Sequence, residues 1–190
     1  MTHNKIKKLI IGTAQFGMSY GIANPSGRVK KNQVYKILDF AYANGINTLD
    51  TAKAYGNSED VTGSYIKQNK EKNWAAVTKV KSSFGALYNQ VLNTALKLNI
   101  NPYVVLAHSS KDYFNSSFRN ELYNLKETLN VKKVGVSIYN VNEIKSVLSL
   151  DILPDVIQLP MSIIDTRLFN NKMLDDIKNK QIEIHVRSVF

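Results

Sequence analysis

The chain of 190 residues contains no cysteine. That removes disulfides, a thiolate nucleophile and a thiolate zinc site together. Its three histidines, His3, His108 and His185, lie far apart in the sequence, so no local metal motif forms and a metal-free site is expected. Long apolar runs are missing as well. Nothing approaches the roughly 18 residues of a membrane span, and no membrane partner is expected. No G-x-G-x-x-G follows the first strand-like run, which counts against a doubly wound dinucleotide-binding sheet. Acidic residues are scarce, 15 against 25 Lys and Arg, for a formal charge of +10. The excess is scattered along helix-like segments in short runs such as KIKK and VKK, and the aromatics do not interleave with it as a base-stacking platform would. No nucleic-acid partner is expected, and the positive field instead favours an anionic phosphate cofactor. The start, MTHNKIKKLIIGTAQFG, is basic, but its apolar stretch is short and no A-x-A-like site follows, so the expected location is cytoplasmic.

What is present is alternation. Strand-like runs occur at KLIIG, INTLD, AAVTK, YVVLAH, KVGVSI, DVIQLP and IEIHV, about 25 to 35 residues apart, the length of one strand, one helix and two loops. Between them lie helical stripes. Val34, Ile37, Leu38, Ala41 and Tyr42 share one face, with Gly45 as a left-handed stop. Phe118, Leu122, Leu125 and Leu129 share another, and Asn140 with Glu143 forms a capping box ahead of Val141, Ile144 and Leu148. Weaker patterns mark Leu87, Val91, Ala95 and Leu98, then Phe169, Met173 and Ile177, then Ser58 to Gln68 with Asn57 or Ser58 as its cap. Strands rich in Val, Ile and Leu joined by single helices imply parallel pairing. The expected fold is α/β, an incomplete (β/α)8 barrel with about seven parallel strands in a single domain over residues 1–190.

Four polar residues end three consecutive strand-like runs: Asp50 and Tyr55 in INTLDTAKAYG, Lys79 in AAVTK and His108 in YVVLAH. On neighbouring parallel strands they would share one rim, where barrels build their sites. Each has an ordinary alternative. An Asp at a strand end caps turns, a loop tyrosine is a half-packed phenol, a terminal Lys snorkels to water and a rim His is merely satisfied.

With the stretch GINTLDTAKAYGNSE, Lys79 and His108 in view, the chain resembles the aldo-keto reductases from LIIGTAQFG to its last residue. The resemblance implies carbonyl reduction by hydride transfer from NADP(H), with NAD(H) as the alternative, and a small-molecule carbonyl substrate. Tyr55 would be the proton donor, Lys79 the ammonium that lowers the phenol's proton affinity, Asp50 the carboxylate that keeps Lys79 charged and aimed, and His108 the donor to the substrate oxygen. Cofactor contacts would come from Gly12, Thr13, Asp50, Ser137, Gln158, Arg187 and Ser188. Ile138 stands where relatives often carry Asn, and Arg187 where many stack an aromatic on the nicotinamide. Asp165 and Arg167 are expected to form a local ion pair.

Seven strands are one short of a closed barrel, and the chain stops in apolar HVRSVF. It is therefore expected to be C-terminally truncated, lacking the last strand and the cofactor-phosphate loops, with weak or no reductase activity alone. The edges of its first and seventh strands are expected to favour association. The alternatives to an enzyme are a nicotinamide-binding sensor or regulatory module, as in the potassium-channel β subunits, and a non-functional remnant of a split reductase.

Overall fold

Each Val-, Ile- and Leu-rich run becomes a strand. In the computed structural model, which describes residues 8–22, 24–167 and 172–189, they are β1 (Ile11–Gly12), β2 (Thr48–Asp50), β3 (Ala75–Val80), β4 (Val104–Ala107), β5 (Lys133–Ser137), β6 (Val156–Pro160) and β7 (Glu183–Arg187). They form a parallel seven-stranded sheet in the order β1 to β7. Sequential parallel order with intervening helices defines an α/β fold with the topology of a (β/α)8 barrel, seven of its strands being present. The helices are α1 (Ala14–Gly17), α2 (Lys31–Ala43), α3 (Ser58–Gln68), α4 (Leu87–Leu98), α5 (Ser110–Phe114), α6 (Ser116–Thr128), α7 (Val141–Leu148) and α8 (Met173–Asn179). Among the described residues no helix is long and apolar enough to cross a membrane.

The chain divides into two compact units, residues 1–79 with 88–103, and residues 80–87 with 104–190. In the first, the apolar stripe of α2 packs Val34, Leu38 and Ala41 with Leu49, Tyr65, Ile66 and Trp74. Gly45 has φ +76°, the left-handed stop that the pattern implies. Asp39, Tyr65 and Lys72 tie α2 to α3: the Tyr65 hydroxyl donates to Asp39 at 2.6 Å and Lys72 Nζ lies 2.5 Å from the same oxygen. The hydrogen bond of Lys72 Nζ to Asp39, and a second to the Tyr65 hydroxyl at 2.8 Å, push the ammonium's pKa up. In the second unit Val104, Val105, Leu106, Val134, Val136, Ile157 and Leu159 of the strands are buried, as are Phe118, Leu122, Leu125, Ile144, Val147 and Ile177 of the helices. The Asn140–Glu143 capping box is present at the start of α7.

Local patterns misplace some details. Asn57 occupies the cap position of α3 but makes no side-chain cap; its oxygen accepts from Arg28 Nη1 at 3.3 Å. Ser58 does not cap either, because its hydroxyl donates to the Thr13 carbonyl at 2.8 Å. Met173 and Ile177 form the buried face of α8, whereas Phe169 and His3 lie outside the described residues. The short helices α1 and α5 have no periodicity to announce them. Each spans a single turn or little more, too short for an apolar stripe to repeat.

Glu59, in the first turn of α3, is 3% exposed and accepts from the Thr94 hydroxyl at 2.9 Å. Burial raises its pKa above the ordinary carboxylate value, with the Thr94 hydrogen bond opposing that rise. Folding therefore shifts the balance toward the protonated form relative to the unfolded chain. Its contribution to stability is complete in acid below the ordinary Glu range and is lost as pH rises through the raised value. Glu59→Gln, whose amide oxygen can still accept from Thr94, is expected to flatten that decline and raise the melting midpoint at neutral pH. Melting curves across pH check this, and an unchanged slope would contradict it.

Candidate active site

The first unit brings Asp50, Tyr55 and Lys79 together. Asp50 ends β2, in register with Gly12 of β1 and Val77 of β3. Lys79 lies two residues beyond Val77 on β3, so its side chain projects to the same face of the sheet. Its Nζ lies 2.5 Å from Asp50 Oδ1 and donates to the Thr51 carbonyl at 3.2 Å. The Lys79 side chain is only 2% exposed and that of Asp50 16%. Lys79 therefore does not snorkel to water. A carboxylate and a carbonyl stand in for the hydration that burial removes from Lys79 Nζ.

After β2 the backbone turns back on itself, the Tyr55 N–H donating to the Ala52 carbonyl at 2.9 Å and the Ser58 N–H to the Tyr55 carbonyl at 3.1 Å. This return sets the Tyr55 ring with its centroid 5.1 Å from Lys79 Nζ. Acid, amine and phenol thus form one constellation in which a cation stands against the phenol ring.

Two glycines shape that return. A Cβ on Gly17 would stand 1.8 Å from the Tyr55 carbonyl oxygen and 2.4 Å from Ser58 N, and a Cβ on Gly56, at φ +57°, would stand 2.4 Å from the Gly17 oxygen. The two backbones touch directly, and only hydrogen fits between them. Gly17→Ala is expected to force the Tyr55 turn away from α1 at about 1–3 kcal/mol, the range for overpacking. Urea unfolding measures it, and a loss below about 0.5 kcal/mol, the range of neutral surface substitutions, would show that the turn yields freely. Neither glycine stands out in the sequence, since the contact joins segments about 40 residues apart.

Thr13 is tied into the protein by its own hydrogen bonds. It is 0% exposed. Its N–H and hydroxyl both donate to the Asp50 carbonyl, at 2.9 and 3.1 Å, while its own carbonyl accepts from Ser58. Thr13 is thus an anchor holding the end of β1 against Asp50. Gly12 is in register with Asp50, and a Cβ there would meet no atom within 4 Å.

The second unit places His108 immediately after β4, half-buried, with its N–H donating to the carbonyl of Val80, the residue that follows Lys79 in the chain. Ser137 and Gln158 are register partners on β5 and β6 and are 2% and 3% exposed. Gln158 Oε1 is buried with no hydrogen-bond partner. An acceptor left without a donor in a dry site costs about 1–3 kcal/mol, which marks it for an N–H from a ligand. A nicotinamide carboxamide carries such a donor, so the residues present fit that group. Arg187, paired with Pro160, ends β7, and Ser188 follows with φ +56°. Ile138 is 0% exposed. Asp165 and Arg167 form the local pair, with Arg167 Nε and Nη2 each donating to a carboxylate oxygen at 2.7 Å. Among the described residues no group of three or more His, Asp or Glu side chains is placed to hold a metal ion.

Parallel strands in chain order joined by helices define the class of α/β folds with (β/α)8-barrel topology. The aldo/keto reductase family model matches residues 8–190. The chain belongs to the aldo/keto reductase family. Among solved structures it is similar to a Pseudomonas aeruginosa protein assigned to the aldo-keto reductases, with a TM-score of 0.77 at 24% identity over 94% of this chain and 72% of that one. It is also similar to Klebsiella pneumoniae aldo-keto reductases solved with NADP and acetate, TM-score 0.70 at 17% identity over 92% of this chain, and with NADPH, TM-score 0.71 at 17% identity over 94%. The chain spans 62% and 63% of those two proteins. A comparison with curated proteins found no match.

Proposed function

We propose that the chain is an oxidoreductase that reduces an aldehyde or ketone to an alcohol with a nicotinamide cofactor, NADP(H) in preference to NAD(H). The observation that carries this is the buried Lys79–Asp50 pair, with Lys79 Nζ 5.1 Å from the Tyr55 ring centroid. A nearly buried ammonium stands beside the phenol ring. It favours the phenolate electrostatically and so makes the phenol a better acid.

A bound NADPH would supply the hydride. The chain's own groups act on the substrate oxygen, where negative charge develops. Tyr55 delivers the proton to that oxygen, and Lys79 stabilises the phenolate left behind. Asp50 orients Lys79 and balances its charge. His108 donates a hydrogen bond to the carbonyl oxygen and fixes its approach. Ser137 and Gln158 hold the cofactor's carboxamide, the Gln158 oxygen accepting the ligand N–H that the protein itself does not provide. Gly12, which carries no Cβ, and Thr13 let backbone come close to the cofactor, and Ser188 adds a further contact to it.

The test is oxidation of NADPH and of NADH by the purified chain with a reactive aldehyde. Cofactor binding without turnover would favour the sensor or regulatory reading instead, and an absence of both binding and turnover would favour the remnant.

A further inference from the structure

We infer that Tyr139 is a positioning residue that presents the Arg187 guanidinium as a flat platform for the nicotinamide ring. This rests on the cofactor reading above and adds to it a residue which that reading does not use. The Arg187 guanidinium carbon lies 4.1 Å from the Tyr139 ring centroid. That is face-on contact, since an edge approach would hold the carbon farther from the centroid. Arg187 Nη2 also donates to the Ile138 carbonyl at 3.0 Å. One contact fixes the tilt of the plane and the other its rotation about the normal.

Tyr139 is itself held from behind. Its N–H donates to Glu143 Oε2 at 2.5 Å, the oxygen that also accepts from Asn140 N–H at 3.1 Å in the capping box of α7. The other Glu143 oxygen accepts from the Ser110 hydroxyl at 2.7 Å. A chain of fixed groups thus runs from the α7 cap through the Tyr139 backbone and ring to the guanidinium. The Arg187 Nε is buried without an acceptor, so the group is not held by a full set of protein hydrogen bonds.

Position on the sheet points to the ligand. Arg187 pairs with Pro160, two residues beyond Gln158 on β6, so both project to the same face about 7 Å apart along the strand direction. Gln158 offers an amide acceptor and Arg187 a planar, weakly hydrated cation that stacks on rings. An aromatic ring bearing a carboxamide matches that pairing. Arginine ordinarily loses much rotamer freedom when it stacks on a ligand. Here Tyr139 and Ile138 order it beforehand, which strengthens binding through preorganisation.

The experiment is calorimetric titration of NADPH into the full chain and into Tyr139→Phe, Tyr139→Leu and Arg187→Lys, with the melting midpoint of each unliganded variant as a check on folding. Tyr139→Phe keeps the ring face and is expected to bind within about twofold of the wild type, whereas Tyr139→Leu keeps bulk but loses the face and is expected to weaken binding about five- to tenfold. Arg187→Lys is expected to weaken it about tenfold, because an ammonium has no plane to stack. A Tyr139→Leu chain that melts like the wild type and binds NADPH equally well would overturn the inference while leaving the cofactor reading intact. Failure of the wild type to bind NADPH would overturn both.

Discussion

Tyr55→Phe is expected to abolish carbonyl reduction while leaving cofactor binding unchanged. The phenol is the only group in the Asp50–Lys79–Tyr55 constellation that carries a transferable proton and can regain it from water without uncovering a buried charge. Removing a general acid typically costs 10² to 10⁴ in turnover, or about 3–5 kcal/mol of barrier. Phenylalanine keeps the ring that stands 5.1 Å from Lys79 Nζ, so the stability of the first unit is expected to be little altered. Single-turnover oxidation of bound NADPH, measured beside its dissociation constant, separates the two effects. Residual turnover within a factor of ten of the wild type would assign the proton to another group, with His108 the first to examine.

The second large effect concerns stability and should be unequal between two partners. Lys79→Met removes the ammonium and leaves the Asp50 carboxylate, whose side chain is 16% exposed and can still reach water. Asp50→Asn leaves an ammonium that is 2% exposed with no counter-charge, its remaining acceptors being the neutral Asn amide oxygen and the Thr51 carbonyl. Breaking a buried pair from one side costs about 3–5 kcal/mol. We expect Asp50→Asn at the top of that range and Lys79→Met below it, since methionine also fills the vacated space with apolar atoms. Urea unfolding of both variants measures the difference. Equal losses, or a larger loss for Lys79→Met, would mean that the ammonium is better solvated than its burial implies. Both substitutions should also slow turnover, Lys79→Met because the phenolate then forms without its cation and Asp50→Asn because the ammonium is no longer aimed by its carboxylate.

The strands and the long helices were legible because their signal is local. Val, Ile and Leu runs of strand length, the stripe of α2 ending at Gly45, and the Asn140–Glu143 box each depend on residues within a few positions of one another. The site was legible in part for the same reason. Asp50, Lys79 and His108 are polar residues that end or directly follow apolar runs, a conflict with the surrounding pattern that marks function more often than packing. The helices α1 and α5 escaped because one turn is too short to show a period. The burial of Thr13 was not legible because it is set by Asp50 and Ser58, 37 and 45 residues away.

From the amino-acid order alone follow the alternation of strand and helix, the parallel α/β class and the residue types available for acid–base chemistry. Periodicity and strand-end position are properties of short segments, and physics acts on them before any long-range contact forms. Folding decided the rest: that Lys79 is buried against Asp50 instead of snorkelling, that Gly17 and Gly56 meet backbone to backbone beneath Tyr55, that Gln158 keeps an acceptor without a donor, and that Arg187 lies flat on Tyr139. Each of these depends on which distant segment arrives as neighbour, and the energy of a charge or an amide is set by that neighbour.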